Sequence, residues 1–253
     1  MTDARNPLIF AASLLALVLV WQVAAVLTAD PLVLPSPLRV AEILWGEAVS
    51  GTLWRHMVPT LLRVAAAFTL AMVLGSALGL VLGLMPRMNR WADPWVVVFL
   101  NMPALVVIVL CYLWIGLNET AAIVAVAANK AAAVLVTVRE GARALDPAVA
   151  EMARVYRMSP LTRLRHVILP QLAPFFAAAA RGGLSIIWKL VLVVELLGRP
   201  NGIGFQIHLY FQLFEVGYVL AYALSFIGVM LLIEYALIQP AEQRASRWRR
   251  RIA

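Results

Sequence analysis

Residues 139–170 read REGARALDPAVAEMARVYRMSPLTRLRHVILP, and the reading of this segment decides the fold. It is basic, and it stands between two apolar runs long enough to cross a bilayer. Asp146-Pro147 and Ser159-Pro160 each place a capping side chain ahead of a proline. Proline at the first helical position loses nothing by lacking an N–H, so each pair predicts the start of a short helix. In the first helix Val149, Met152 and Tyr156 fall on one apolar stripe, with Glu151, Arg154 and Arg157 elsewhere. In the second, Leu161, Leu164 and Val167 or Ile168 share a side, away from Arg163 and Arg165, before Leu169-Pro170 enters the next apolar run. The hairpin 146–170 is too short for a domain and too apolar on one side to stand free in water. It reads as a docking element.

Outward from the hairpin the chain is dominated by apolar runs. Of 253 residues 63% are hydrophobic and 13% charged, against about 45–50% and about 25% in soluble domains. Such a chain cannot cover itself with polar surface. Runs of roughly 20 residues suffice to span a bilayer, and they predict six spans near 8–28, 62–84, 94–115, 119–138, 172–196 and 217–238. The uninterrupted run Leu8–Leu27 is the opposite of the alternation a membrane barrel needs. It also exceeds the roughly 7–15-residue core of a signal peptide, so it is read as a retained span. The expectation is an all-α membrane protein with a single transmembrane domain over residues 1–253.

The net charge of +8 is distributed as a topology signal. Arg5, Arg87, Arg90, Arg139, Arg143, Arg154, Arg157, Arg163, Arg165 and the tail Arg244, Arg247, Arg249, Arg250 and Arg251 collect on one side of the predicted spans. The other side keeps Arg39, Arg55 and Arg199, with Arg63 near its boundary. An excess of Lys and Arg in short loops marks the cytoplasmic face, which puts the hairpin and both termini inside. Nothing in this pattern resembles a phosphate-tracking groove, and no nucleic-acid partner is expected. Cys111 is alone in an apolar run, which leaves no disulfide framework and no cysteine-based metal site. His56, His166 and His208 lack ligand spacing, and no nucleophile–base set is evident, so neither a metal nor an enzymatic site is expected. There is no Gly-x-x-x-x-Gly-Lys-Ser/Thr loop, so the chain is not expected to cradle ATP.

Several smaller signals remain. Leu34-Pro35-Ser36-Pro37 predicts a capped helix in the 29–60 connection, with Val40, Ile43, Leu44 and Val49 near helical spacing, either on the membrane surface or packed on the protein's own spans. Gly75, Gly79 and Gly83 form a Gly-x-x-x-Gly ridge, read as internal packing in preference to a dimer contact, and Gly182-Gly183 could act likewise. Trp91, Trp95 and Trp248 suit interfacial anchoring in membrane lipid. Lys130, Arg181 and Lys189 lie inside apolar runs, at roughly 2.5–3.5 kcal/mol each near a span centre. Arg181, Ser185 and Lys189 recur every fourth residue and share one helix face. That face and Lys130 either line a path attractive to anions or pair across helices with Glu195 or Glu234. Asn101 and Asn129 are weaker lining candidates, and Trp188 is a candidate to stack on a substrate.

Glu151-Met152-Ala153 followed by Val167-Ile168-Leu169-Pro170 resembles the EAA loop of ABC importer permeases. Arg143-Ala144-Leu145-Asp146-Pro147 before it, then Pro174, Glu195-Leu196-Leu197-Gly198 and Gly202-Ile203-Gly204 after it, extend the likeness over nearly the whole chain. With Leu34-Pro35-Ser36-Pro37 it is similar to the nitrate/sulfonate/taurine permease branch. Met152 and Val167 are mild departures, but the family glycine falls on Arg157. Arginine adopts the left-handed backbone poorly, so Ser159-Pro160 is expected to make the turn by another route, or the loop to be shaped differently.

The resemblance implies a type I importer in the bacterial inner membrane. It implies a second permease subunit (a homodimer by default), two cytoplasmic ATPase subunits holding ATP and Mg, and a periplasmic or lipid-anchored binding protein. Glu151, Met152, Ala153, Tyr156, Arg157, Leu169 and Pro170 would couple the permease to the ATPase, with Glu151 as polar anchor. Read from the residues alone, Glu151 is better taken as a surface carboxylate paired with Arg154 or another arginine of its hairpin, and the resemblance reverses that preference. The implied cargo is a small anion or zwitterion such as nitrate, a sulfonate or taurine. The alternatives are a neutral vitamin or precursor, or a secondary transporter not driven by ATP.

Overall fold

The computed structural model describes residues 7–238; Arg5, Trp248 and the arginine tail lie outside the described residues. All regular elements among them are helical: α1 (Pro7–Thr28), α2 (Pro37–Val49), α3 (Thr52–Leu84), α4 (Pro86–Asn101), α5 (Ala104–Ile115), α6 (Glu119–Arg143), α7 (Pro147–Val155), α8 (Pro160–Arg163), α9 (Leu169–Gly198), α10 (Ile203–Gln212) and α11 (Val216–Ile233). A π-turn, Leu164–Ile168, joins α8 to α9, and another, Glu234–Ile238, follows α11. Among the described residues, Thr52–Leu84, Glu119–Arg143, Pro160–Gly198 and Val216–Ala236 are long and apolar enough to cross a membrane.

The third apolar run departs from the straight span expected over 94–115. It is a bent pair, α4 and α5, meeting at 98°. Pro103 causes the break: the residue before proline is driven out of the helical region, and Met102 is extended at φ −70, ψ 124. Asn101 folds back on its own helix, its side-chain amide donating to Val97 O at 2.8 Å. Trp91 and Trp95 on α4 are exposed, as interfacial anchors are.

α6 is the central helix because its alanines let neighbours approach from two sides. The glycine ridge of α3 lies on it: a Cβ at Gly75 would sit 2.7 Å from Ala131 O, one at Gly79 2.5 Å from Leu135 O, and one at Gly83 2.5 Å from Ala142 Cβ. The ridge is therefore an internal contact. On the other side α9 packs antiparallel, with Gly141 against Phe175 and Gly183 against Lys130. Arg139 ties α6 to α4 near the hairpin, donating to Asp93 at 2.6 Å and Asn89 at 3.1 Å. α2 has the Ser36 cap and Pro37 start expected of it. It packs on the protein's own helices, with Ile43 against Gly217 of α11 and Glu47 accepting from the Tyr222 hydroxyl.

Candidate functional site

The hairpin begins where the sequence places it. Asp146 Oδ1 accepts from Ala148 N at 2.8 Å, and Ser159 Oγ from Thr162 N at 3.2 Å. Between them the turn differs from expectation. Arg157 itself takes the left-handed conformation, at φ +51. Met158 N donates to Ala153 O at 3.0 Å and Arg157 N to Arg154 O at 2.9 Å, the paired bonds of a Schellman helix end. The glycine geometry is kept without the glycine, because the two bonds hold the arginine backbone there. Left-handed backbone costs an L-residue roughly 1–2 kcal/mol, partly offset by the entropy a glycine would lose. Arg157→Gly is therefore expected to stabilise the end of α7 by about 0.5–1 kcal/mol, seen as slower amide exchange at Met158; unchanged or faster exchange would contradict it.

The second arm is not jointed at Pro170. Leu169 N donates to Leu164 O across the π-turn, so α8 runs into α9 as one helix, Pro160–Gly198. Pro170 lies inside this continuous helix with no backbone N–H to give, and the π-turn ending two residues before it takes up the break in the hydrogen-bond ladder. The apolar stripes also turn differently. Ala153, Val167 and Ile168 are buried, while Met152, Val155, Tyr156 and Leu161 are exposed, the last three by 73% or more. Small Ala153 lets α7 lie close to its support and leaves the large side chains outward. Glu151, Arg154, Arg157, Leu169 and Pro170 are exposed beside them. Glu151 makes no ion pair among the described residues, so the pairing with Arg154 is not observed.

In the middle of the bundle Ala178, Arg181, Gly182, Ser185, Ile186 and Lys189 form an exposed stripe along α9. A Cβ at Gly182 would meet nothing within 4 Å. Lys130 is 7% exposed on the facing side of α6, and Asn129 is half-buried. Asn101 is exposed at the α4–α5 bend. Trp188 is a correction: it is 4% exposed, set edge-on to Phe226 at 6.1 Å, and belongs to the core.

Glu195 is a second correction. It is fully enclosed, and its carboxylate accepts from Arg63 Nη1 at 2.6 Å, Thr60 Oγ1 at 3.0 Å and Gly204 N at 2.9 Å. Neither the α9 stripe nor Lys130 reaches it. Arg63, 3% exposed, also donates from Nε and Nη2 to Glu119 at 2.8 and 2.7 Å and from Nη1 to Asn201 O at 3.0 Å. Arg199 Nη2 joins Glu119 at 2.6 Å, and His56 accepts from Gly202 N and meets Gln206 at 2.6 Å. The network fastens the 199–204 turn and α10 onto α3, α6 and α9, at the end of the bundle opposite the hairpin. Gly202, at φ +116, lets the turn lie on Glu195; a Cβ there would be 2.3 Å from Glu195 Cδ. Glu195-Leu196-Leu197-Gly198 and Gly202-Ile203-Gly204 are thus two halves of one contact. Sequence reasoning placed Arg63 only as a boundary charge. Its position at the head of an apolar run, at the same end as Glu195, was the available signal.

With this helical arrangement in view, the chain belongs to the family of binding-protein-dependent transport system inner membrane components, whose profile matches residues 71–239. It is 33% identical over 194 residues to the putative aliphatic sulfonates transport permease protein SsuC of Escherichia coli, covering 75% of this chain and 72% of that one. It is 27% identical over 233 residues to the taurine transport system permease protein TauC of the same organism, covering 90% and 84%. An inward-facing structure of the methionine ABC transporter MetNI superposes with a TM-score of 0.64 at 21% identity, over 77% of this chain and 94% of that one. The fold is that of type I importer permeases, and the chain is a membrane-embedded transport component.

Proposed function

We propose that this chain forms half of the membrane path of an ATP-driven importer, with a second copy as the other half and two separate ATPase subunits bound at the hairpins. The observation that carries the reading is the hairpin itself. It offers Met152, Val155, Tyr156 and Leu161 to a partner, flanked by Glu151 and arginines. Its second arm continues as one helix into the membrane, so displacement of the hairpin moves α9 without a hinge to absorb it. The arginine distribution supports a cytoplasmic hairpin, with both termini on that side and the Arg63–Glu195 network outside.

The α9 stripe is the path lining. Lys189, exposed on that stripe, cannot face lipid cheaply, whereas a wet cleft between two copies would accept it. A cationic lining suits a small anion or the acidic end of a zwitterion, in keeping with the sulfonate and taurine relatives. ATP and Mg would be held by the ATPase, and a binding protein would deliver cargo from outside. Vesicles carrying the permease, its ATPase and its binding protein should accumulate taurine or ethanesulfonate only with hydrolysable ATP. Uptake driven by an ion gradient without ATP would overturn the reading.

A further inference from the structure

Three cations are buried among the described residues, and two of them are paired. Arg63 has Glu195 and Glu119, and Arg139 has Asp93. Lys130 is 7% exposed yet has neither an ion pair nor a hydrogen bond among the described residues. Its ammonium is not among the fully covered unpartnered atoms, so the stem is packed while the charged end keeps an opening. The packing is specific. A Cβ at Gly183 would lie 3.3 Å from Lys130 Cε and 4.0 Å from Cγ, with Phe68 Cε2 at 3.9 Å. The lysine stem thus lies against the bare backbone of Gly183, where any larger side chain would press on it, on α9, the helix whose neighbouring face bears Arg181, Ser185 and Lys189.

A lone ammonium in the middle of a bilayer keeps its charge only beside water or an anion. We propose that Lys130 is the permease's own anion-binding group, and that Gly183 is the positioning residue that holds its ammonium to the path. The ligand class is a compact oxyanion head, sulfonate or carboxylate, which a three-donor ammonium engages as a point charge. Two copies would place two such ammoniums on the path. The inference rests on the path assigned to the α9 stripe.

Cys111 is the chain's single cysteine, so a Cys111→Ala background allows a direct test in the assembled transporter. Ser185→Cys is labelled with an anionic sulfonatoethyl and a cationic trimethylammonioethyl methanethiosulfonate, and the ratio of the two rates reports the local potential. The anionic reagent should react faster, Lys130→Gln should lower the ratio by about tenfold, and Lys130→Arg should preserve it. Gly183→Val, which displaces the lysine and keeps its charge, should also shift the ratio, and it carries the test if Lys130→Gln does not assemble. A ratio unchanged by Lys130→Gln or Gly183→Val overturns the inference, as it would if a carboxylate of the second copy held the lysine. If Ser185→Cys reacts with neither reagent, the path reading itself falls and this inference with it.

Discussion

Replacing Arg63 with alanine is expected to leave little assembled protein in the membrane. Glu195 would then be a fully enclosed carboxylate with no cation, and breaking a buried pair costs about 3–5 kcal/mol, a large share of the roughly 5–15 kcal/mol that holds a domain together. Two further losses follow, because Glu119 and the Asn201 carbonyl are bound by the same guanidinium. Arg63→Lys should fail nearly as badly: an ammonium cannot reproduce the two-pronged contact to Glu119 together with the bond to Glu195. Paired replacement of Arg63 and Glu195 by leucine should recover part of the loss, since no charge is left stranded. Thermal unfolding in detergent gives the ordering. A single Arg63→Ala variant that melts with wild type would show that the network holds nothing.

Glu151→Lys is expected to abolish ATP-driven uptake while the protein stays in the membrane at normal level. The side chain is exposed and makes no ion pair within the described chain, so charge reversal disturbs no internal contact and the fold should melt unchanged. In the proposed assembly it faces the ATPase, where an uncompensated charge at a docking surface costs several kcal/mol. Uptake should fall by at least tenfold, with loss of cargo-stimulated ATP hydrolysis. Uptake at the wild-type rate would remove Glu151 from the coupling contact.

The helical class, the membrane setting and the starts of α7 and α8 were legible because each rests on a local rule. Asp146 and Ser159 cap their helices as the cap-plus-proline pattern requires, and the ridge Gly75, Gly79 and Gly83 packs internally. What was not legible depends on tertiary partners. Trp188 reads as a candidate to stack on a substrate until Phe226 is seen against it in the core. Glu195 looked available to the lysines because Arg63 lies 132 positions away in sequence. Arg157 was judged by intrinsic backbone preference, and the two hydrogen bonds of the helix end overrode it. The stripes of the hairpin were assigned by hydrophobicity, whereas small Ala153 faces inward and the large apolar residues face outward.

A cysteine at position 156, in the Cys111→Ala background, tests the central claim most directly. With a short bifunctional reagent on the intact complex, it should cross-link to a separate nucleotide-hydrolysing subunit and stay closed to membrane-impermeant thiol reagents added outside whole cells. Labelling from outside, or no cross-link to any such subunit, would contradict the placement of the hairpin and the importer reading with it.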